Sequence, residues 1–331
     1  LSSLPAAGTL YQTNGRTAYG DAPTRIFAVK SGSHTDNTGT IRTISGTNYI
    51  EMLDWDGDAR DFGAVGDNST DNSNTLSNWI TRLVADGVEG YLPTGTYLCP
   101  SWSAKSITSK LTIRGEQGSI IKNTNATKPT FLAPTGSVVL DTVEFDAFDT
   151  TLDFAASRAV IDLIDIRNCT FKNHVGLLTG GCISYSSLDQ VGPPKTYFAS
   201  GVTRLNVHNC VFEDSECNGI RFDCAIIHEA NIIENKFEDL TRTGFSVNGV
   251  LLGLNDYDYQ DDSNKINIRG NLFKDLSTND NFEAHGILVY GHEVIITDNH
   301  LEDIQNEQTT TGSDSGTGSE GIYVKALYCV I

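Results

Sequence analysis

From residue 138 onward the sequence repeats one apolar pattern, and each copy ends on a phenylalanine or leucine that we name the anchor. An apolar residue lies seven and five positions before every anchor, an alternation typical of a short strand with one buried face. The anchors are Phe145, Phe171, Phe212, Phe237, Phe273 and Leu301. Their shortest spacing, 25 residues from Phe212 to Phe237, suits a coil of three short strands. Because such repeats mark a solenoid, the sequence predicts an all-β fold, a right-handed parallel β-helix.

Polar residues recur beside the anchors. An asparagine precedes the anchor by two or three positions at Asn168, Asn209, Asn235, Asn271 and Asn299. Stacked at the strand spacing of about 4.8 Å, these side chains are expected to form a hydrogen-bonded ladder that satisfies the turn backbone. Cys169 and Cys210 precede their anchors by two positions, so we expect them to be buried near the same turn. An aspartate follows four anchors by two positions, and this recurrence indicates turn residues: Asp214, Asp239, Asp275 and Asp303.

A second strand follows later in most coils and begins with a glycine and an apolar residue. These pairs are Gly219-Ile220, Gly244-Phe245, Gly286-Ile287 and Gly321-Ile322. With the apolar residues facing inward, the alternate residues should line up on one outward face. Charged, amide and aromatic side chains in a row suit a sugar-binding groove, although an ordinary solvated sheet face has the same pattern. The predicted substrate-binding residues on this face are Arg221, Asn248, Tyr290, Tyr323 and Lys325.

The open end of such a solenoid would expose unpaired strand edges, and the residues before the repeats provide a cover. Thr70 and Asp71 offer N-cap chemistry, and Gly87 follows as a stop signal. Apolar residues lie between them at helical spacing, at Leu76, Trp79, Ile80, Leu83 and Val84. We therefore predict an N-terminal capping α-helix of about four turns.

The residues around this helix carry a family pattern. Residues 61–71 read DFGAVGDNSTD, and residues 91–98 read YLPTGTYL. This arrangement resembles the opening of pectate-lyase-superfamily (pectin-lyase-like) β-helix proteins, which include polygalacturonase-like enzymes and many bacteriophage tailspikes. It departs from the family at Asn72 and Ser73, where an aspartate and a threonine are usual. The resemblance implies the fold but no activity, since His285 and Gly286 only partly match the Gly-His-Gly signature of polygalacturonases.

Composition limits the partners. The chain has 42 acidic and 23 basic residues and a net charge of −19, which argues against binding to nucleic acid or an anionic membrane surface. No stretch approaches the roughly 20 apolar residues of a membrane helix. The seven cysteines form no CxxC pair, so we predict free thiols and a reducing folding compartment, with no zinc site. Residues 1–13 lack the features of a secretory signal.

The region before the β-helix adds a second resemblance. Residues 1–57 are polar and rich in glycine, threonine and serine, and we interpret them as a connector before a β-helix domain at 58–331 that we expect to continue beyond residue 331. Together with the free cysteines and the acidity, this organisation resembles a bacteriophage tailspike. The resemblance implies a homotrimer in the virion, assembled in the host cytoplasm, that contacts other phage tail proteins through its N-terminal region. It also implies binding and cleavage of a bacterial surface polysaccharide.

Two alternatives belong to other classes of protein. The first is a non-catalytic virion fibre or adhesion protein with the same fold. The second is an extracellular, secreted bacterial enzyme that degrades polysaccharide. A pair of carboxylates at catalytic spacing would favour an enzyme over a fibre.

Cleavage of a glycosidic bond normally needs two carboxylates, about 5–5.5 Å apart for retention or about 6.5–9.5 Å for inversion. Acids one or two coils apart suit these distances, because neighbouring coils are about 4.8 Å apart. Asp223 is the acid of the outward row, and Glu216 and Glu283 each lie three residues before a strand glycine, two coils apart. We predict these three as catalytic candidates.

Other residues could take part in proton transfer. His285 directly precedes its glycine and suits either acid–base work or the capping of a turn. A lyase would instead use a basic residue to abstract a proton, and Arg221 or Lys325 could do so. Between the two reactions we favour hydrolysis.

Three insertions interrupt the coils, and long loops on a rigid scaffold often determine specificity. The segments are 185–203, 250–264 and 304–319. The second interleaves acids with tyrosines, and we predict that Asp256, Tyr257 and Asp258 bind substrate. Its oxygens could also bind calcium, but the spacing of a calcium loop is missing. We therefore predict no cofactor, and an exposed acidic loop is the alternative.

Overall fold

The computed structural model describes most of the chain. The described residues are 6–16, 21–124, 130–132, 136–153, 160–175, 180–185, 201–222, 226–243, 245–253, 264–279, 282–307 and 320–331.

From residue 90 onward the chain winds in coils of three short strands, one on each of three faces. The first-face strands are Gly90–Leu92, Leu111–Gly115, Val138–Asp141, Val160–Arg167, Gly201–His208, Ile226–Ile233 and Lys265–Arg269. The second-face strands are Asp67–Asp71, Gly95–Leu98, Ser119–Lys122, Glu144–Asp146, Thr170–Lys172, Val211–Ser215, Lys236–Thr243, Leu272–Asn279 and His300–Glu307. The third-face strands are Lys105–Ser106, Phe131–Leu132, Leu152–Asp153, Gly181–Tyr185, Asn218–Phe222 and Val247–Leu252.

Two longer strands, Ala284–Thr297 and Glu320–Val330, run through the third face and on into the first. They join these two faces into one 15-stranded sheet, whereas the second face is a separate 9-stranded sheet. Every strand of these two sheets pairs in parallel with its counterparts in the adjacent coils. The predicted parallel β-helix is therefore confirmed.

The anchors form a continuous stack inside the second face, where each pairs in register with the next. The rings of Phe171, Phe212, Phe237 and Phe273 have centroids 4.7–4.8 Å apart and lie within 13° of parallel. This spacing equals the distance between neighbouring strands, about 4.8 Å. Each ring is thus buried between the anchors of the coils on either side, and all four are 0% exposed.

Glycines in the first residues of the third-face strands are a consequence of this stack. A Cβ atom on Gly219 would lie 2.6 Å from the ring of Phe237, and a Cβ on Gly249 would lie 2.5 Å from the ring of Phe273. Such distances are well inside van der Waals contact. The anchor of the following coil therefore requires glycine at this position.

The predicted asparagine ladder forms in the last coils. The backbone and side-chain nitrogens of Asn235 both donate to Oδ1 of Asn271, at 2.9 and 3.0 Å. Asn271 donates in the same way to Asn299, at 3.0 and 2.9 Å. In the coil before, the backbone nitrogen of Cys210 donates to Oδ1 of Asn235 at 2.9 Å. Amides and thiols therefore share one buried column, as expected for Cys169 and Cys210, which are each 1% exposed.

Asn168 and Asn209 do not belong to this ladder, and their predicted membership is wrong. They lie one position earlier in the repeat, with left-handed φ angles of 52° and 53°. Asparagine is favoured there because it tolerates this conformation better than other non-glycine residues. The four recurring aspartates lie inside second-face strands, so their predicted place in turns is wrong. Their left-handed φ angles of 49–53° interrupt the strand pairing at that position.

The capping α-helix is confirmed and runs from Ser73 to Asp86. The side chain of Asp71 accepts a hydrogen bond from the backbone nitrogen of Ser73 at 2.9 Å. The helix ends at Gly87, which adopts φ 66°. Its buried face comprises Leu76, Trp79, Ile80 and Leu83, each at most 1% exposed. Trp79 also donates from Nε1 to the carbonyl oxygen of Gly57 at 2.6 Å, which fixes the helix against the first coil.

The N-terminal residues form a separate four-stranded antiparallel sheet. Its strands are Leu10–Thr13, Arg25–Ser31, Ile41–Ser45 and Asn48–Met52. A 3-10 helix, Ala59–Phe62, follows and contains Asp61, which is 2% exposed. Arg25 donates from Nε to both carboxylate oxygens of Asp61 at 3.1 and 3.0 Å, and Arg16 and Arg42 donate to its carbonyl oxygen.

Asp61 therefore joins the N-terminal sheet to the β-helix. Burial raises the pKa of the Asp61 carboxyl to about 6, and the hydrogen bonds from Arg25 oppose this shift. The division into a connector at 1–57 and a β-helix domain at 58–331 stays a prediction.

A buried histidine lies on the turn after the second face. His174 is 0% exposed. Its Nδ1 lies 3.0 Å from the carbonyl oxygen of Lys172, and its Nε2 lies 2.7 Å from the hydroxyl of Thr151. Because a carbonyl oxygen can only accept, Nδ1 carries the proton and Nε2 accepts from Thr151. The ring is neutral, and burial lowers the pKa of His174 to about 4.

We expect His174 to make the protein less stable as the pH falls from 6.5 to about 4. In that window the unfolded chain takes up a proton at His174 and the folded chain does not, so the free energy of unfolding falls by about 3 kcal/mol. Thermal unfolding across this range should show a stability that depends less on pH in His174→Gln than in the wild type, because glutamine cannot titrate. His300→Gln, at an exposed position, should keep the wild-type slope. Equal slopes for the wild type and His174→Gln would contradict the prediction.

Candidate functional site

The third face carries the predicted outward row, but one coil has a different register. Ile220 pairs with Val250, and Val250 pairs with Ile287. In the strand Val247–Leu252, Gly249 is therefore the counterpart of Gly219 and Gly286, and the predicted strand start at Gly244 is wrong. The reason is that the second-face strand of this coil has 8 residues where the preceding one has 5. Gly244 itself lies outside the described residues.

The corrected outward row consists of Arg221, Leu251, Leu288 and Tyr323, one residue from each successive coil. Tyr323 is 38% exposed. Lys325 lies two residues further along the same strand and is also exposed. Arg221, Tyr323 and Lys325 thus lie on the outward face as predicted, and their role in substrate binding stays a prediction.

Two other predicted substrate contacts are buried. Asn248 is 2% exposed, and its backbone and side-chain nitrogens donate to Oδ1 of Asn218 at 2.7 and 3.0 Å. Its predicted outward orientation is wrong, because the corrected register moves it into a second amide ladder. Tyr290 is 6% exposed, with its ring centroid 6.0 Å from that of Tyr323. Tyr290 therefore packs beside the outward row and contributes little surface to it.

His285 continues the second ladder and is 3% exposed. Its Nδ1 lies 3.1 Å from Oδ1 of Asn248, and an amide oxygen only accepts, so Nδ1 is the donor. Its Nε2 lies 3.7 Å from Oε2 of Glu283. His285 lies inside the strand Ala284–Thr297, so its interpretation as a turn cap stays a prediction. Its acid–base role also stays a prediction, and its burial behind Glu283 suits it to position that carboxylate.

Three residues form what we name the turn column: Glu216, Ser246 and Glu283. Each lies three positions before the glycine of its third-face strand, in successive coils. The backbone nitrogen of Glu283 lies 3.4 Å from Oγ of Ser246, which shows that these turns are adjacent. Both glutamates are exposed and Ser246 is half-buried. Two strand spacings separate the glutamates by about 9–10 Å along the axis, near the upper end of the inverting range of about 6.5–9.5 Å.

Four predicted site residues lie outside the described residues: Asp223, Asp256, Tyr257 and Asp258. The calcium interpretation, which depends on the same loop, lies there too. Within the described part of the chain, no group of three or more His, Cys, Asp or Glu side chains could hold a metal ion. None of the helices in that part is long and apolar enough to cross a membrane.

Two aromatic residues of this region were missed in the sequence. Phe245 was expected to face inward, but it is 42% exposed, and Phe282 is 37% exposed. Each directly precedes a member of the turn column, Ser246 or Glu283. Phenylalanine therefore recurs four positions before the strand glycine, and this spacing could have identified the pair once Gly249 was placed correctly.

The sequence matches no protein-family model and no curated protein. Similar solved structures include WceF of Pantoea stewartii, described as a glycan biofilm modifying enzyme with a bacteriophage tailspike-like parallel β-helix fold. It is 10% identical, covers 96% of this chain and gives a TM-score of 0.49. Tailspike protein 2 of the Escherichia coli O157:H7 bacteriophage CAB120 is 12% identical over 98% of this chain, with a TM-score of 0.32. The tailspike of Acinetobacter phage vB_ApiP_P1 is 13% identical over 96%, with a TM-score of 0.37.

This chain spans 49% of the length of the first two of these proteins and 70% of the third. At such identities the similarity concerns the course of the backbone alone. The assignment of the fold therefore rests on the strand pairing described above, and any activity has to be inferred from the side chains of the third face and the turn column.

Proposed function

We propose that this protein is a tailspike-like depolymerase that binds a bacterial surface polysaccharide along its third face and hydrolyses glycosidic bonds at the turn column. The observation that supports this proposal best is the pair of exposed glutamates, Glu216 and Glu283, held two coils apart in one column. The outward row adds a guanidinium, a phenol ring and an ammonium group at Arg221, Tyr323 and Lys325. These groups supply hydrogen bonds for sugar hydroxyls and a ring for an apolar sugar face.

The two turns that hold Glu216 and Glu283 are about 9–10 Å apart along the axis, at the upper limit of the spacing used for inversion, and we therefore propose an inverting reaction. At the inverting distance a water molecule fits between one carboxylate and the anomeric carbon. That carboxylate takes a proton from the water while the oxygen of the water bonds to the anomeric carbon. The other carboxylic acid gives its proton to the leaving oxygen as the glycosidic carbon–oxygen bond breaks. His285, 3.7 Å from Glu283, would orient that side chain.

We also place the protein in the virion, as a homotrimer that contacts other tail proteins through its N-terminal sheet. The resemblance of residues 61–71 and 91–98 to tailspike-containing families supports this placement. The three arginines that bind Asp61 support it as well, because they fix the N-terminal sheet to the β-helix. Sedimentation of the purified protein and immuno-electron microscopy of phage particles would test both parts.

The activity is tested with Glu216→Gln and Glu283→Gln. Wild-type protein incubated with a panel of capsule, lipopolysaccharide and exopolysaccharide preparations should release defined oligosaccharides, which mass spectrometry detects. Each variant should lose at least about 100-fold in rate, the usual contribution of general acid–base catalysis, with polysaccharide binding unchanged. Glu302→Gln, an exposed glutamate on the second face, is the matched control and should keep full activity.

Three results would change this conclusion. Full activity in both glutamine variants would remove the turn column as the catalytic site. Products lighter by one water than the hydrolytic ones would identify a lyase. Binding without any release of oligosaccharide, across the whole panel, would favour the non-catalytic fibre.

A further inference from the structure

Two exposed phenyl rings lie side by side at the edge of the third face. Phe245 and Phe282 are 42% and 37% exposed, and their ring centroids are 6.1 Å apart with planes inclined by 32°. All other phenylalanines in the described part of the chain are buried. Two exposed rings contribute less to stability than the buried rings of this fold do. Neighbouring exposed apolar side chains are typical of a binding site.

Neighbouring residues fix both the ring and the backbone of Phe245. The guanidinium carbon of Arg242 lies 4.7 Å from its ring centroid, and the Arg242 side chain is buried. The hydroxyl of Thr278 lies 2.7 Å from the carbonyl oxygen of Phe245 and 3.1 Å from that of Arg242. A ring supported by a cation on one face and fixed through its backbone loses little conformational entropy when it binds a ligand.

The polar neighbours of the rings indicate which ligand they suit. Ser246 and Glu283 directly follow Phe245 and Phe282, so a hydroxyl and a carboxylate lie at the border of the aromatic surface. A pyranose ring has an apolar face of C–H groups and a rim of hydroxyls, which matches a phenyl surface bordered by hydrogen-bond acceptors. Glu216 and Glu283 are exposed, and the one that acts as base is an ionised carboxylate that would repel the carboxylate of a uronic acid at this position.

We propose that Phe245 and Phe282 form a stacking platform for an uncharged pyranose unit of the polysaccharide, next to the bond that is cleaved. This inference rests on the proposed function and adds to it a binding subsite and a substrate class. The platform binds the sugar through ring stacking, and the turn column accepts hydrogen bonds from its hydroxyls. Phe245 and Phe282 are thus specificity-determining residues and take no part in proton transfer.

The test is binding of the full chain to an array of bacterial oligosaccharides, half of them neutral and half containing uronic acids. Wild-type protein should prefer neutral glycans. Phe245→Ala and Phe282→Ala should each weaken binding about tenfold, the effect of one lost stacking contact. Phe245→Trp and Phe282→Tyr, which keep an aromatic ring, should restore it. Tyr328→Ala, an exposed aromatic residue on the last strand, is the control and should bind as the wild type does.

The outcomes separate this inference from the proposed function. Wild-type binding that survives both alanine substitutions would overturn the platform and leave the proposed function standing. No wild-type binding to any glycan would overturn both. A change in sedimentation of the Phe245→Ala variant would identify the rings as a contact between copies of the chain, and a preference for uronic acids would overturn the substrate class.

Discussion

Gly249→Val should lower the free energy of unfolding by at least about 4 kcal/mol, an effect in the range of the most damaging single substitutions. The added Cβ would lie 2.5 Å from the ring of Phe273 and 2.8 Å from the carbonyl oxygen of Gly286. The ring cannot move away, because it is stacked 4.8 Å from Phe237. The carbonyl oxygen belongs to the neighbouring strand and is equally fixed. Chemical denaturation of the purified variant measures the loss.

Two further variants keep this prediction testable if the valine variant does not fold. Gly249→Ala carries the same clash without the extra methyl groups and should be destabilised in the same direction by about 1–3 kcal/mol. Combining it with Phe273→Leu should cost less than the sum of the two single changes, because the smaller side chain relieves part of the clash. Wild-type stability of Gly249→Ala would show that the anchor stack does not determine this glycine.

Phe237→Ala should be destabilised by about 3–5 kcal/mol, the usual range for emptying a fully buried aromatic site. Its ring lies 4.7 Å from Phe212 and 4.8 Å from Phe273, so its removal leaves a cavity in the middle of the stack. Phe237→Leu should cost less, because Leu301 holds the anchor position of a later coil.

Phe245→Ala is the matched control for this experiment, since it removes the same side chain from an exposed position. It should change the stability by less than about 1 kcal/mol. Thermal or chemical unfolding of the two variants under identical conditions compares the stability lost at a buried ring with that lost at an exposed one. Equal losses for Phe237→Ala and Phe245→Ala would contradict the buried stack.

The sequence predicted the scaffold well because burial leaves a regular trace. Anchors such as Phe212 and Phe237 recur with apolar residues at constant offsets, and the capping helix has its own 3.6-residue period around Trp79. The turn column was also found by a constant offset, since Glu216 and Glu283 lie equally far from their strand glycines.

The site was predicted less completely, for two physical reasons. A glycine followed by an apolar residue is too short a signal, and Gly244 satisfied it as well as Gly249 did. The strand pairing identifies Gly249 as the counterpart of the glycines in the coils on either side, and the ring of Phe273 explains why glycine is needed there. The polarity of a side chain does not tell an exposed phenylalanine from a buried one either. It predicts a buried Phe245 and an exposed Asn248, and the structure shows the reverse.

The shared column of thiols and amides also bears on how the coils assemble. Cys169 and Cys210 occupy it in earlier coils, and Asn235, Asn271 and Asn299 in later ones. Solenoid coils are otherwise alike, so a growing β-helix can misalign by one whole coil. A slip that removed one coil from the asparagine ladder would leave a buried amide without its acceptor, at about 1–3 kcal/mol for each such group. The hydrogen bonds of Asn235, Asn271 and Asn299 thus favour the native order of the coils during folding.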